Sequence, residues 1–223
     1  MSAFVIAVDG PSASGKSTVA RGVARQLNCR YVDSGALYRA ITWRALQQGI
    51  AVADTPRLAQ WVKNVTFRFS HDDGIVRVSL DGMAPDTNDL RGDAVVEAVS
   101  DVAAVPDVRH AVGIVLREMT RLGPLVVEGR DIGTAVFPET PLKFFVDADP
   151  EERARRRSAE TGADLSRVKQ SLQRRDRKDR NRQTAPLRCA PDAVRMDTTH
   201  LPVEQVVDWI VRHVAAVRNK MNA

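Results

Sequence analysis

Cysteine is scarce: Cys29 and Cys189 are the only two in 223 residues. They lie far apart, with no CxxC pair and no histidine at ligand spacing. That excludes a disulfide framework and a Cys/His zinc site, and it suits a reducing cytoplasm. No apolar run approaches the roughly 20 residues a membrane span needs. The first residues carry neither a basic leader nor a small-residue cleavage site, so a soluble cytoplasmic protein is expected, with no membrane partner. Aromatic residues are 5% of the chain. The four histidines are scattered without metal spacing and receive no role. There are no internal repeats and no low-complexity tails.

What is present is the ordinary composition of a globular protein, 43% hydrophobic and 27% charged. The length suits a single domain, 1–223, built on one sizeable core. The formal net charge of +5 is unevenly placed. Residues 151–182 hold 12 of the 33 Lys and Arg but 6 of the 28 Asp and Glu, so the basic excess is one segment and the body is close to neutral. Such a cluster marks either a nucleic-acid patch or a lid over polyphosphate.

The stretch around which the chain is organised is Phe4-Val-Ile-Ala-Val8 followed by Gly10, Pro11, Ser12, Ala13, Ser14, Gly15, Lys16, Ser17 and Thr18. Gly10 to Ser17 satisfy G-x-x-x-x-G-K-[ST] at every fixed position. An apolar run rich in β-branched residues reads as a buried strand entering the loop. Val19, Ala20, Val23, Ala24 and Leu27 recur at helical spacing beyond it. Strand, glycine loop and helix together form a cradle of backbone N–H groups for phosphate. Lys16 is expected to reach the β- and γ-phosphates of a nucleoside triphosphate, and the Ser17 hydroxyl to ligate Mg²⁺.

Further along, Arg30–Val32 reads as a second strand, and a helix begins near Ser34, its expected N-cap, with Tyr38 and Arg39 in the first turn. Their place at the carboxyl end of a strand is where open α/β sheets collect ligands. Residues 66–69 and 75–80 alternate apolar and polar, separated by His71-Asp-Asp-Gly74, a hairpin signal. Residues 83–88 read as a continuation of that small sheet, so 63–92 is expected to be an inserted lobe. Two helical stretches, 94–104 and 106–121, carry Ser100 and Arg109. Strand 125–127 then runs into Glu128-Gly-Arg130-Asp131-Ile-Gly-Thr134, whose charges cannot be packed as core and must form a second site loop. Strand 142–146 precedes the arginine-rich region 151–185, read as a mobile clamp. Strand 194–196 and an amphipathic helix over 202–218 close the chain.

Taken together, Gly10–Thr18, Asp33-Ser-Gly-Ala-Leu-Tyr-Arg39, Gly129-Arg-Asp-Ile-Gly-Thr134 and Arg175-Asp176…Asp179-Arg-Asn-Arg182 resemble the bacterial cytidylate (CMP) kinase family over essentially the whole chain. The resemblance implies an α/β nucleoside monophosphate kinase fold. Its parts are a five-stranded parallel sheet flanked by helices, an antiparallel monophosphate-binding lobe and an arginine-rich helical lid. It implies phosphoryl transfer from ATP to CMP or dCMP with Mg²⁺. By similarity, Ser34, Tyr38, Arg39 and Arg130 hold the sugar-phosphate end. Ser100, Arg109 and Asp131 read cytosine, Asp179 reads the ribose, and Arg175 and Arg182 are lid arginines that meet phosphates. Lys16, Arg130, Arg175 and Arg182 are thus the expected catalytic cations. Glu128, where some relatives carry Asp, is not counted among the metal ligands.

Electron demand agrees with these roles. Phosphoryl transfer needs alignment and charge neutralisation rather than a nucleophilic side chain. A carboxylate can accept from the cytosine amine while arginine and serine donate to N3 and O2. Two other readings compete: a P-loop kinase for UMP or another small substrate, and a nucleic-acid-binding protein using its basic helices. The second is disfavoured because Asp176 and Asp179 interrupt the basic run and no aromatics interleave for base stacking. No leftover apolar stripe calls for a partner chain, so a monomer is expected.

Overall fold

The computed structural model describes residues 4–221. Seven strands form one sheet in the order β3-β4-β2-β5-β1-β6-β7. Its centre is β1 (Val5–Asp9) between β5 (Leu125–Gly129) and β6 (Lys143–Asp147), with β2 (Arg30–Asp33) and β7 (Val194–Asp197) flanking them. These are the five parallel strands expected, and every residue of β1 and β5 is buried. Strands covered on both faces need apolar side chains pointing both ways, which is why β1 reads as a continuous run rather than an alternation.

Alternate residues divide between two cores. Val5 and Ala7 join Val32, Leu125 and Val127 under α2 (Ser34–Gln47), α3 (Thr55–Val62), α5 (Asp93–Val102) and α6 (Pro106–Glu118). Ile6 and Val8 join Val126, Phe144 and Val146 under α1 (Lys16–Gln26) and α9 (Val203–Met221).

The inserted segment differs from a separate small sheet. Strands β3 (Phe67–Asp72) and β4 (Ile75–Leu80) form the expected antiparallel hairpin, turned at Asp73 and Gly74, both at positive φ. That two-residue turn matches the right-handed twist of the strands. However, β4 also pairs in parallel with β2 through Tyr31 and Ile75, so the hairpin lengthens the main sheet to seven strands. Residues 83–88 do not extend it. Met83 makes one bridge to Leu80, and the chain then enters α4 (Thr87–Arg91). Asp86 and Asp89 cap that short helix reciprocally, an interaction that wins over an extended conformation.

A second difference lies at α2. Asp33, not Ser34, is the N-cap: its carboxylate accepts from the Ala36 N–H at 3.0 Å, and Ser34 is the first helical residue. The loop after β5 is also more ordered than a plain turn, since Ile132–Val136 form a π-helical turn. Beyond β6, Asp149 caps α7 (Pro150–Thr161), and Gly162 ends it in the left-handed conformation. The long basic helix α8 (Leu165–Asn181) follows. No helix among the described residues is long and apolar enough to cross a membrane.

Candidate active site

The carboxyl ends of β1, β2 and β5 converge, and each releases a chain segment into one crevice. From β1 comes the glycine loop. A Cβ at Gly10 would lie 2.0 Å from the Val146 carbonyl oxygen, so only glycine lets the loop leave the strand against β6. Gly15 takes φ 83 at the start of α1, turning N–H groups toward the crevice. Lys16 is buried and its Nζ donates to the Pro11 carbonyl at 3.2 Å, so the lysine is curled over the loop it belongs to. Burial and the Arg130 charge pull its pKa down to about 7, against the attraction of Glu128 and Asp33. Ser14 Oγ is buried in the same loop without a hydrogen-bond partner.

Beside the loop, Ser17 Oγ donates to Glu128 Oε1 at 2.9 Å, and the Tyr31 hydroxyl donates to the same oxygen at 2.7 Å. Glu128 Oε2 is buried with no partner. Burial, then the neighbouring Asp33 charge, pushes the Glu128 carboxyl above the usual range. A desolvated acid with a spare oxygen is a group in want of a cation. Asp33 also accepts from Arg39 Nη2 at 2.7 Å. Its carboxyl is pushed up by burial but held below the usual range on balance by Arg39, the Ala36 N–H and Lys16.

From β5 comes the dipeptide Arg130-Asp131, whose side chains diverge. Arg130 reaches back to the glycine loop, donating from Nη2 to Ser12 Oγ at 2.8 Å, while its Nε meets Asp179 of α8 at 3.0 Å. Asp131 points the other way, accepting from Arg109 on one oxygen and from Arg182 Nη2 at 3.1 Å on the other. Arg109 is further held by the Ala103 carbonyl, 3.1 Å away, and lies over the Tyr38 ring at 5.5 Å. Arg109, Asp131 and Asp179 are each less than a tenth exposed.

The basic helix closes over this arrangement. Arg175 has a buried Nε with no hydrogen-bond partner, and burial together with Arg130 lowers its pKa to about 10. A guanidinium shifted that far is crowded by cations and short of anions. Arg182 donates from Nε to the Ala185 carbonyl at 2.6 Å, and burial and Arg109 pull its pKa down. Lys178 meets Asp101 of α5 at 2.7 Å, bridging the lid to the far side of the crevice.

Most of the residues singled out in the sequence are therefore placed in a few hydrogen-bonded groups around the crevice: Arg130 with Ser12 and Asp179, Asp131 with Arg109 and Arg182, Ser17 with Glu128, and Arg39 with Asp33. Ser34 and Tyr38 are buried on the adjoining face of α2. Ser100 is half-buried on α5, one residue before the Asp101 that meets the lid. Thr18 is exposed. Sequence reasoning missed Tyr31, which reads simply as a strand residue. It also passed over Arg153, buried between the Ser12 carbonyl at 3.0 Å and Asp176 at 2.7 Å. Nothing local distinguishes Arg153 from its exposed neighbour Arg155.

The chain resembles known proteins in sequence and in fold. The family model described as cytidylate kinase matches residues 6–216. The chain belongs to the cytidylate kinase family. A cytidylate kinase of an Exiguobacterium species is 43% identical over 96% of this chain and 97% of its own length. One from Geobacillus kaustophilus is 45% identical over 94% and 95%. A solved structure from Thermus thermophilus, 20% identical, superposes with a TM-score of 0.50 over 97% of this chain and 98% of that one, a likeness of fold.

Proposed function

We propose that this member of the cytidylate kinase family transfers the γ-phosphoryl group of ATP to CMP or dCMP, yielding ADP and CDP or dCDP. The observation that carries this reading is the divergence of Arg130 and Asp131. Adjacent residues tie the glycine loop, where a triphosphate binds, to a buried Asp–Arg pair suited to a cytosine edge.

The glycine loop amides and Lys16 hold the β- and γ-phosphates of the donor. Ser34, Tyr38 and Arg39 face the acceptor phosphate, with Arg39 exchanging Asp33 for it. Arg130 stands between the two and neutralises charge on the phosphoryl group as it moves, helped by Arg175 and Arg182. The bond from the γ-phosphorus to the β,γ-bridging oxygen breaks, and one to a CMP phosphate oxygen forms. Asp131 accepts from the cytosine amine while Arg109 and Ser100 donate to its acceptors. Uracil would set a carbonyl against the buried Asp131 carboxylate. Asp179 takes the ribose hydroxyls once Arg130 turns to phosphate.

The hard oxygens of Ser17 and Glu128, with an orphaned buried carboxylate oxygen between strand and loop, fit Mg²⁺. Ser17 and Glu128 would hold it, and the ion would neutralise the β- and γ-phosphate oxygens. In the lid, 151–185, Arg153 is buried and Arg175 and Arg182 are partly so, all three turned inward, while Arg155, Arg167, Arg174, Arg177 and Arg180 are exposed. The inward three lie at the donor loop and the crevice, which favours polyphosphate as their partner.

An ADP-release assay with CMP, dCMP, UMP, AMP and GMP tests the reading. CMP and dCMP are expected to exceed UMP in kcat/KM by about 10⁴, the discrimination of a site whose buried polar groups are left unpaired by the wrong ligand. UMP turned over as well as CMP would overturn it.

A further inference from the structure

Asp9 ends β1 immediately before Gly10 and is 5% exposed. It holds no phosphate-loop atom. Instead its two carboxylate oxygens each accept one backbone N–H from across the crevice: Oδ1 from Ile132 at 2.8 Å and Oδ2 from Gly133 at 2.8 Å. These amides open the π-helical turn that follows Asp131. The Ile132 N–H belongs to the same peptide plane as the Asp131 carbonyl, and that carbonyl accepts from Ala135 at 2.8 Å and Val136 at 3.2 Å. The plane after Asp131 is thus gripped on both sides, which fixes the backbone angle that aims the Asp131 side chain. Gly133 leaves no slack: a Cβ there would lie 3.1 Å from the Lys143 stem and 3.5 Å from Asp9 Oδ2.

We propose that Asp9 is a positioning residue for acceptor recognition, clamping the turn that aims Asp131 at the base and registering it against the strand that carries the donor loop. The inference rests on the reading of Asp131 as the base-reading carboxylate. An acid is the right group for the task, because only a carboxylate offers an acceptor to both amides. Burial pushes the Asp9 carboxyl up to about 7 even though the two N–H bonds work against the shift, so the clamp is held at an energetic cost. Plain packing at this point would call for an apolar side chain, like the four residues of β1 before it.

Asp9→Asn keeps the shape but replaces one of the two acceptor oxygens with an NH₂, which then faces an amide N–H. With the wild type first confirmed to prefer CMP over UMP, kcat/KM for CMP in the variant should fall about 10- to 100-fold, the scale of a misplacement near 1 Å. The CMP/UMP ratio should fall with it, and the KM for ATP should stay within about threefold because the donor loop is not held by this side chain. Equal losses for CMP and UMP, an unchanged CMP value, or an ATP KM that rises in parallel would overturn the proposal. If wild type itself fails to prefer CMP, the base-reading assignment is what fails. Hydrogen exchange on the wild type provides a check that survives a variant unable to fold. The Ile132 and Gly133 amides should exchange as slowly as those of β1 and β5, and exchange at the rate of an open loop would contradict the clamp.

Discussion

At the scale of single residues, the site is a set of charges held in want of counter-charges. Lys16 shows this best. Buried beside Arg130 and Arg175, it titrates near 7 rather than at its usual 10.5. Between those values the unfolded chain binds the extra proton, so Lys16 adds folding stability as pH rises through that window. A triphosphate reverses the balance by placing negative charge against the ammonium. Binding of ATP at pH 8 should therefore take up a proton, seen as a binding enthalpy that changes with the ionisation enthalpy of the buffer. Lys16→Met should abolish that uptake and lower kcat about 10²- to 10³-fold, the usual loss of one preorganised donor to transition-state charge. A buffer-independent enthalpy in the wild type would mean that Lys16 is already charged.

At the scale of elements, α7 and α8 are tied to each other, to the donor loop and to α5 by contacts of unequal worth. Arg153–Asp176 is buried, with side chains 6% and 8% exposed, and it also grips the Ser12 carbonyl of the donor loop. Lys178–Asp101 spans the crevice at 2.7 Å, but its side chains are 52% and 54% exposed. Breaking one partner of a buried pair strands a charge and costs about 3–5 kcal/mol, whereas an exposed pair is worth about 0.2–1 kcal/mol. Denaturant unfolding should accordingly show Arg153→Ala strongly destabilised and Lys178→Ala within 1 kcal/mol or so of wild type. Similar losses for the two would mean that Asp176 finds water once Arg153 is gone.

The elements also show what a sequence can and cannot disclose. β1, the glycine loop and α1 were legible because their signals are local: an apolar run, fixed glycines and a helical repeat. The hairpin was legible from two alternating runs on either side of His71-Asp-Asp-Gly74, although β3 runs on to Asp72 and leaves only Asp73 and Gly74 as the turn. Its attachment to β2 was not, because a parallel pairing of Tyr31 with Ile75 is set by tertiary placement and leaves no mark in either segment. Residues 83–88 depart from the expected strand for a local reason. Asp86 and Asp89 are the two halves of a helix cap, which takes the chain out of the extended conformation expected there. Arg130, Asp131 and Asp179 could be named from motifs. That Asp179 lies on Arg130 and Arg182 on Asp131 could not, since these pairs span 49 and 51 residues of chain.

At the scale of the whole molecule, one sheet edge is proposed to serve two ligands. The glycine loop leaves β1, the turn proposed to read the acceptor leaves β5 beside it, and α8 extends Asp179 and Arg175 toward them. The ion pairs Arg130–Asp179 and Arg182–Asp131 hold the crevice shut with groups the nucleotides are expected to claim. The Ser17 hydroxyl donates to Glu128, a pair proposed to hold magnesium rather than to act as a nucleophile and its base, and the cations suit a single displacement. The most direct test is the stereochemistry of transfer to CMP from ATP carrying a chiral γ-thiophosphoryl group. One in-line step between nucleotides bound end to end gives inversion at phosphorus. Retention would require a phosphorylated protein intermediate and would contradict the geometry proposed for this site.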